Sequence, residues 1–271
     1  RVTYYVFFPI LLFISIAKSD LSDMPVSAGI GLPIVTLLIV TGALLFLRPR
    51  LRFKGPVFAS VVQGSIRTNT YVAFAAALAV YGEEALPAVA LGIIAFIPFV
   101  NLVSVLVHLR YGSGKKRSIR TALIEIGTNP LILACVAGIA INLADIVLPD
   151  LVDTTLDLLG RAALPMGLLS VGAALELGTM KRSVKALALA SAVKLAILPA
   201  LLLVAMSNAD LEGAPAGVLL LFAAAPTSVS SFVLARHMGG DYKLMASMIT
   251  VQVLVGMVTL PIWLWLAGYV I

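Results

Sequence analysis

Nine runs of mostly apolar residues follow one another through the 271-residue chain with only short connections between them. They lie at roughly 2–17, 30–47, 57–80, 85–108, 128–148, 157–177, 184–206, 214–236 and 244–268. A spanning helix needs about 20 mostly apolar residues. In lipid, only helices and closed barrels satisfy every backbone N–H and C=O. A soluble core could not hide this much apolar surface. The chain is 61% hydrophobic and 12% charged, with a mean hydropathy of +1.09, whereas soluble domains average about 45–50% apolar and about 25% charged. The expectation is therefore an all-α polytopic membrane protein. The first run lacks a small-residue cleavage pattern and is followed by further spans, so it does not read as a signal peptide. The longest polar stretch, Arg110 to Arg120, leaves no room for a soluble domain.

The charges alternate with the spans. Arg1, Arg48, Arg50, Arg52, Lys54, Arg110, Lys115, Lys116, Arg117, Arg120, Lys181, Arg182, Lys185, Arg236 and Lys243 fall on one side, which makes 15 of the 19 basic residues. The opposite connections carry Asp20, Asp23, Glu83, Glu84, Asp145, Asp150, Asp153, Asp210 and Glu212, with Lys18 the one base among them. The positive-inside rule makes the basic loops cytoplasmic and puts the C-terminus outside, in a plasma (inner) membrane. The net charge of +6 thus marks a membrane-lipid surface rather than a nucleic-acid partner. Cys135 is the one cysteine and sits in an apolar run, so no internal disulfide can form.

Two spans are interrupted by polar residues at membrane depth. One reads Gln63-Gly64-Ser65-Ile66-Arg67-Thr68-Asn69-Thr70, and the other reads Pro226-Thr227-Ser228-Val229-Ser230-Ser231. Setting Asn69 against Pro226 needs no gap and brings Thr70 onto Thr227, Val72 onto Val229 and Gly82 onto Gly239. The first interrupted span exits into an acidic loop and the second into a basic one, so the two copies sit upside down. An odd number of helices per copy produces this. Residues 1–120 read as the first repeat, spans two to five of ten, and 121–271 as the second, spans six to ten. The expectation is one further helix before Arg1. Paired interrupted helices in inverted repeats point to a secondary transporter's substrate site, because a broken helix offers free N–H and C=O groups and a positive half-helix N-terminus.

With these residues in view, the chain resembles the auxin efflux carrier family, in the wider group that holds the bile-acid sodium symporters. The matching stretches run in order from Tyr5-Val-Phe-Phe-Pro9 through Asn69-Thr70, Asn129-Pro130 with Gly138 and Asn142, Ala163-Leu-Pro165-Met-Gly, Lys194-Leu-Ala-Ile-Leu-Pro199 and Ala225-Pro226-Thr227. The resemblance implies a 5+5 inverted-repeat fold with two broken crossover helices. It also implies a scaffold domain (about 1–17 and 121–177) and a mobile transport domain (about 30–109 and 184–268). It implies transport of small organic anions such as auxin-like acids or dicarboxylates. Two positions depart from the family pattern: Ala76 stands where a proline is common, and Ser230 where an asparagine is common.

The candidate substrate-binding residues are Asn69, Thr70, Pro226, Thr227, Ser228 and Ser230, with Arg67, Asn101 and Lys194. Polar residues in such spans also serve as helix–helix hydrogen bonds, and that alternative stands beside each of them. Lys194 and Arg67 are intramembrane charges, which are costly and must face protein or water. Lys194 reads as an anion contact or a counter-charge for coupling, or else as a structural pair with a carbonyl or a carboxylate or as a snorkelling side chain; Arg67 reads as a carboxylate contact or as the cap of a broken helix end. Asn129-Pro130 reads as an N-cap with proline at N1. His108 and His237 sit near cytoplasmic helix ends, where cations are favoured, and nothing in the sequence marks them as proton relays; Trp263 and Trp265 read as interface anchors. No phosphate loop, HExxH or paired metal ligands occur. The chain is therefore read as a non-enzyme without cofactor or metal. The expected function is elevator-type secondary transport, with proton or sodium coupling and a homodimer both left open. A sodium-coupled bile-acid-like symporter and a non-transporting sensor remain alternatives.

Overall fold

The computed structural model describes residues 2–18, 25–113, 120, 124, 127–172, 183–209 and 211–270. Every element among them is helical. A π-helical turn, Thr3–Phe7, leads into α1 (Phe8–Ala17), and α2 spans Val26–Leu51. The first interrupted helix is α3 (Gly55–Ile66) followed by α4 (Thr70–Tyr81), and α5 is Leu86–Tyr111. Then come α6 (Pro130–Leu143), α7 (Asp150–Arg161), α8 (Ala163–Gly172) and α9 (Val184–Ala192). A second π turn, Val193–Ile197, joins α9 to α10 (Leu198–Ser207). The second interrupted helix is α11 (Gly213–Ala224) with α12 (Ser230–Met238), and α13 (Tyr242–Val270) closes the bundle. The chain is thus an all-α polytopic membrane protein. Among the described residues, four helical stretches are long and apolar enough to cross a bilayer: Val26–Leu51, Gly55–Tyr111, Val184–Ser207 and Tyr242–Gly268.

Local chemistry sets the irregular points. Both π turns end two residues before a proline, Pro9 and Pro199. Proline cannot donate to the carbonyl four residues back and its ring crowds that carbonyl. The helix widens there by a one-residue shift, as Phe8 N–H reaches Thr3 O and Leu198 N–H reaches Val193 O. The second break follows from Pro226, which holds Ala225 in the extended region at φ −60°, ψ 141°. The first break forms although Ala76 replaces the family's proline. There Arg67 is extended and Asn69 restarts the helix, its Oδ1 accepting Tyr71 N–H at 3.2 Å.

The two half-helices that enter the breaks lie deepest. Every residue of α11 from Ala216 to Ala224 is buried, as is every residue of α3 from Phe58 to Ile66. A helix that is apolar all round faces either lipid or protein, and here α4, α5, α10 and α13 enclose α11. Apart from this cluster, α1 packs along α6 and α7. Gly138 allows the close approach there, because a Cβ on it would stand 2.9 Å from Phe13 O. Asn142 Nδ2 then donates to Ile16 O at 3.2 Å and Ala17 O at 3.1 Å, covering the C-terminal carbonyls of α1. Asn129 caps α6 as its spacing predicts, accepting from Leu131 N–H at 2.9 Å.

The basic helix ends gather at one end of the bundle. Arg48 of α2 lies over the Tyr111 ring of α5 at 4.3 Å, Ser113 N–H donates to Gly239 O, and Asp241 N–H donates to Pro56 O. Elsewhere Lys18 pairs with Asp153 at 2.6 Å.

The span boundaries differ from the sequence reading in one region. The run 157–177 is not one helix: α7 ends at Arg161 and α8 begins at Ala163, with 173–182 outside the described residues. The segment α7 is amphipathic, with Asp150, Asp153, Asp157 and Arg161 interleaved with exposed Leu151 and Leu158. Hydropathy averaging had merged its last turn with the apolar run that follows.

The α1–α6 approach yields a direct test. Gly138→Ala forces its Cβ against a backbone carbonyl and is expected to cost about 1–3 kcal/mol by overpacking. Gly42→Ala meets nothing within 4 Å and is expected to be neutral or stabilising. Thermal unfolding of the two variants in detergent reads the difference.

Candidate functional site

The two breaks cross and are bonded to each other. Asn69 N–H donates to Pro226 O at 2.8 Å, which joins the two positions that the repeat alignment sets in register. Breaking a helix strands its last carbonyls, and in an apolar interior each unpaired group costs about 1–3 kcal/mol. The structure supplies a partner for several of them. At the end of α11, Phe222 O accepts Thr68 Oγ1 at 2.7 Å, and Ala223 O accepts Lys194 Nζ at 2.8 Å. At the end of α3, Gly64 O accepts Gln252 Nε2 at 3.0 Å, and Gln252 Oε1 in turn accepts Thr227 N–H at 2.9 Å.

The positive ends of α4 and α12 both start at this crossing. Arg67 lies between them, its Nη2 donating to Ser230 Oγ at 3.1 Å, while Ser228 and Ser230 hydroxyls are 2.9 Å apart. Three side-chain groups at the crossing are buried and make no hydrogen bond among the described residues: Asn69 Nδ2, Thr227 Oγ1 and Ser231 Oγ. A crossing of two half-helix N-termini, a guanidinium and unsatisfied amide and hydroxyl groups favours a small anionic ligand with several acceptor oxygens.

The predicted residues divide by position. Asn69, Pro226, Thr227, Ser228, Ser230 and Arg67 come together at the crossing, and Thr70 is the first residue of α4 there, half-buried. Lys194 is fully buried, with Nζ donating to Thr68 Oγ1, Ala223 O and Phe222 O at 2.8, 2.8 and 3.4 Å. Its three N–H bonds are used on the framework. These bonds set Lys194 against the carbonyls that end α11. Asn101 is half-buried on α5 and makes no hydrogen bond with either break among the described residues.

Three residues escaped the sequence reading. Thr68 lies within the quoted polar run but was not singled out. Gln252 is a lone amide in the apolar run 244–268, which was the available signal. Trp263 was read as an interface anchor, yet its indole donates to Leu195 O at 2.7 Å. That carbonyl lies four residues before Pro199 and is the one the proline leaves unpaired. Trp265, 60% exposed, fits the anchor reading.

Gln252 gives the sharpest test of the framework. Gln252→Leu strands Thr227 N–H and Gly64 O together and is expected to lower stability by about 2–4 kcal/mol. The exposed Ser207→Ala is expected to shift it by less than about 0.5 kcal/mol. Denaturation of the detergent-solubilised proteins measures both.

Comparison with known proteins agrees with this geometry. The profile of the membrane transport protein family matches residues 115–264. Nearly the whole chain is similar to an uncharacterized transporter of Methanocaldococcus jannaschii, at 23% identity over 98% of this chain and 88% of the relative. It is 26% identical to an uncharacterized transporter of Methanothermobacter thermautotrophicus, over 97% of this chain and 86% of the relative. It is also 26% identical to the uncharacterized transporter YfdV of Escherichia coli K12, over 97% of this chain and 85% of the relative. With the all-α membrane fold and the profile match to more than half its length, the chain belongs to the membrane transport protein family, that of the auxin efflux carriers.

Proposed function

We propose that the chain is a secondary active transporter of small organic anions, carboxylates above all, that works by elevator-type alternating access. The observation that carries this reading is the crossing itself. Two interrupted helices are joined through Asn69 N–H and Pro226 O, with Arg67 beside them and Asn69 Nδ2 and Thr227 Oγ1 buried without a partner. A carboxylate accepts from a guanidinium, an amide and a hydroxyl at once. The proposed site comprises Arg67, Asn69, Thr70, Pro226, Thr227, Ser228 and Ser230.

The packing supports a division into moving and fixed parts. α1 packs along α6 and α7, while α3, α4, α5 and α9 to α13 pack on one another around the crossing. Between the groups lies a largely apolar contact. Phe8 of α1 meets Tyr71 and Phe74 of α4 at 4.7 and 5.3 Å, and a Cβ on Gly167 of α8 would stand 3.6 Å from the Tyr71 ring. An apolar contact of rings and a glycine has few directional bonds to break when one group slides past the other. In this reading the basic ends face the cytoplasm across the plasma membrane. The same groups bind substrate from either side.

Uptake into proteoliposomes with malonate, malate and indole acids, at varied pH and sodium, tests the proposal. Wild-type protein is expected to accumulate at least one of these acids, and Asn69→Ala or Thr227→Ala to reduce that uptake at least tenfold. Wild-type rates in both variants would remove the site assignment. Strict sodium dependence would favour a bile-acid-like symporter, and saturable binding without flux a sensor.

A further inference from the structure

A second polar feature runs between α3, α5 and α12, outside the crossing. On α3, Ser60 and Gln63 lie at helical spacing, and Arg67 follows in extended backbone just after its last turn. On α5, Asn101, Ser104 and His108 recur at the same spacing. The two helices pack against each other in opposite directions. Phe58 and Tyr111 rings meet edge-on at 5.2 Å, and Gly55 lies against the Tyr111 carbonyl. His108 Nε2 and Ser60 Oγ both flank Gly240, where a Cβ would stand 2.6 and 2.9 Å from them. This register sets Gln63 level with Ser104 and Arg67 level with Asn101. The stripe therefore climbs from the basic end of the bundle towards the crossing, about 9 Å from Ser60 to the end of α3 at 1.5 Å per residue.

The middle of the stripe is buried and unpaired. Gln63 and Ser104 are 0% exposed and His108 is 2% exposed. Both amide atoms of Gln63, the Ser104 hydroxyl and His108 Nε2 make no hydrogen bond among the described residues. Such a row is strongly unfavourable in a dry apolar interior and is the setting in which buried water is held. The histidine's tautomer is fixed as well. Its Nδ1 lies 2.8 Å from Ser104 O, and a carbonyl can only accept, so Nδ1 carries the hydrogen. Neutral His108 then presents Nε2 as a bare acceptor facing the stripe.

We propose that the α3–α5 stripe is a hydrated proton path from the basic end of the bundle to the substrate crossing, with His108 as its proton-accepting group and Gln63 and Ser104 holding its water. The proton moves from a hydronium ion at the basic end to His108 Nε2, forming one N–H bond and leaving water. It departs from the same nitrogen along the water held by Ser104 and Gln63. The charged groups on the elements around His108 are Arg67 just after α3, Arg48 and Arg50 on α2, Arg110 on α5, Arg236 and His237 on α12, and Asp241 and Lys243 at the start of α13. The inference that this path serves transport rests on the organic-anion reading above and makes the carrier a proton–anion cotransporter.

Two experiments separate the path from that reading. In the first, Gln63→Cys is placed in a Cys135→Ala background and exposed, in vesicles, to a charged, membrane-impermeant methanethiosulfonate from the basic-loop side. Labelling at a rate at least tenfold above that of the Cys135→Ala parent is expected. No labelling would mean a dry stripe and would overturn the path whether or not any anion is carried. In the second, proteoliposomes loaded with a pH-reporting dye take up malonate, malate or indole-3-acetate. His108→Gln is expected to lower substrate-linked proton entry at least tenfold while exchange of labelled for unlabelled substrate stays within about twofold. Ser104→Ala, which keeps the His108–Ser104 carbonyl bond, is expected to slow proton entry less. Substrate-linked proton entry at the wild-type rate in His108→Gln would overturn the role of His108. Labelling of Gln63→Cys without flux of any acid would uphold the hydrated stripe and sink the anion reading instead.

Discussion

The rest of the structure depends on one constraint: a helix cannot be broken inside a membrane unless its stranded N–H and C=O groups find new partners. Here two helices break where they cross, and each helps to satisfy the other. The Asn69–Pro226 backbone bond is the direct link. Thr68, Lys194 and Gln252 are the supports, contributed by the first break, by α9–α10 and by α13. The break therefore costs little as long as these three elements stay packed around it. Asn69 Nδ2, Thr227 Oγ1 and Ser231 Oγ make no hydrogen bond among the described residues.

The supports explain several features that look unrelated in the chain. Lys194 stands one residue into a π turn that Pro199 induces, and Trp263 satisfies the carbonyl that Pro199 releases. A charge, a proline and a tryptophan far apart in sequence thus belong to one local solution. The pairing of Gly138, Asn129 and Asn142 is similar: α6 is capped, approached and used as a cap by the same short segment.

Much of this was legible from the residues. The membrane class followed from apolar run length, and the polar breaks were visible because Arg67–Thr70 and Pro226–Ser231 interrupt otherwise apolar spans. The alignment of Asn69 with Pro226 anticipated a contact that the fold contains. Lys194 was visible as an outlier, but its role was not. A buried lysine that binds a ligand and one that caps a carbonyl have the same sequence signature, and they differ only in what lies within about 3 Å. Gln252 and Trp263 were missed for the same reason, since their partners are distant in the chain. The α7–α8 boundary was missed because hydropathy averaging cannot separate the last turn of an amphipathic helix from an apolar run that adjoins it.

The sequence by itself determined that the chain lives in lipid, that it is helical, and that two of its helices are broken at polar stretches. Each of these follows from local composition, because lipid enforces backbone pairing within a segment wherever no other partner exists. Only the tertiary structure decided which groups stitch the breaks and which are left over. It set Lys194 against the carbonyls that end α11, Arg67 beside Ser230, and Ser60 and His108 together against Gly240. Those outcomes depend on directional bonds of about 3 Å between remote residues, and only the packing of whole helices brings such atoms together.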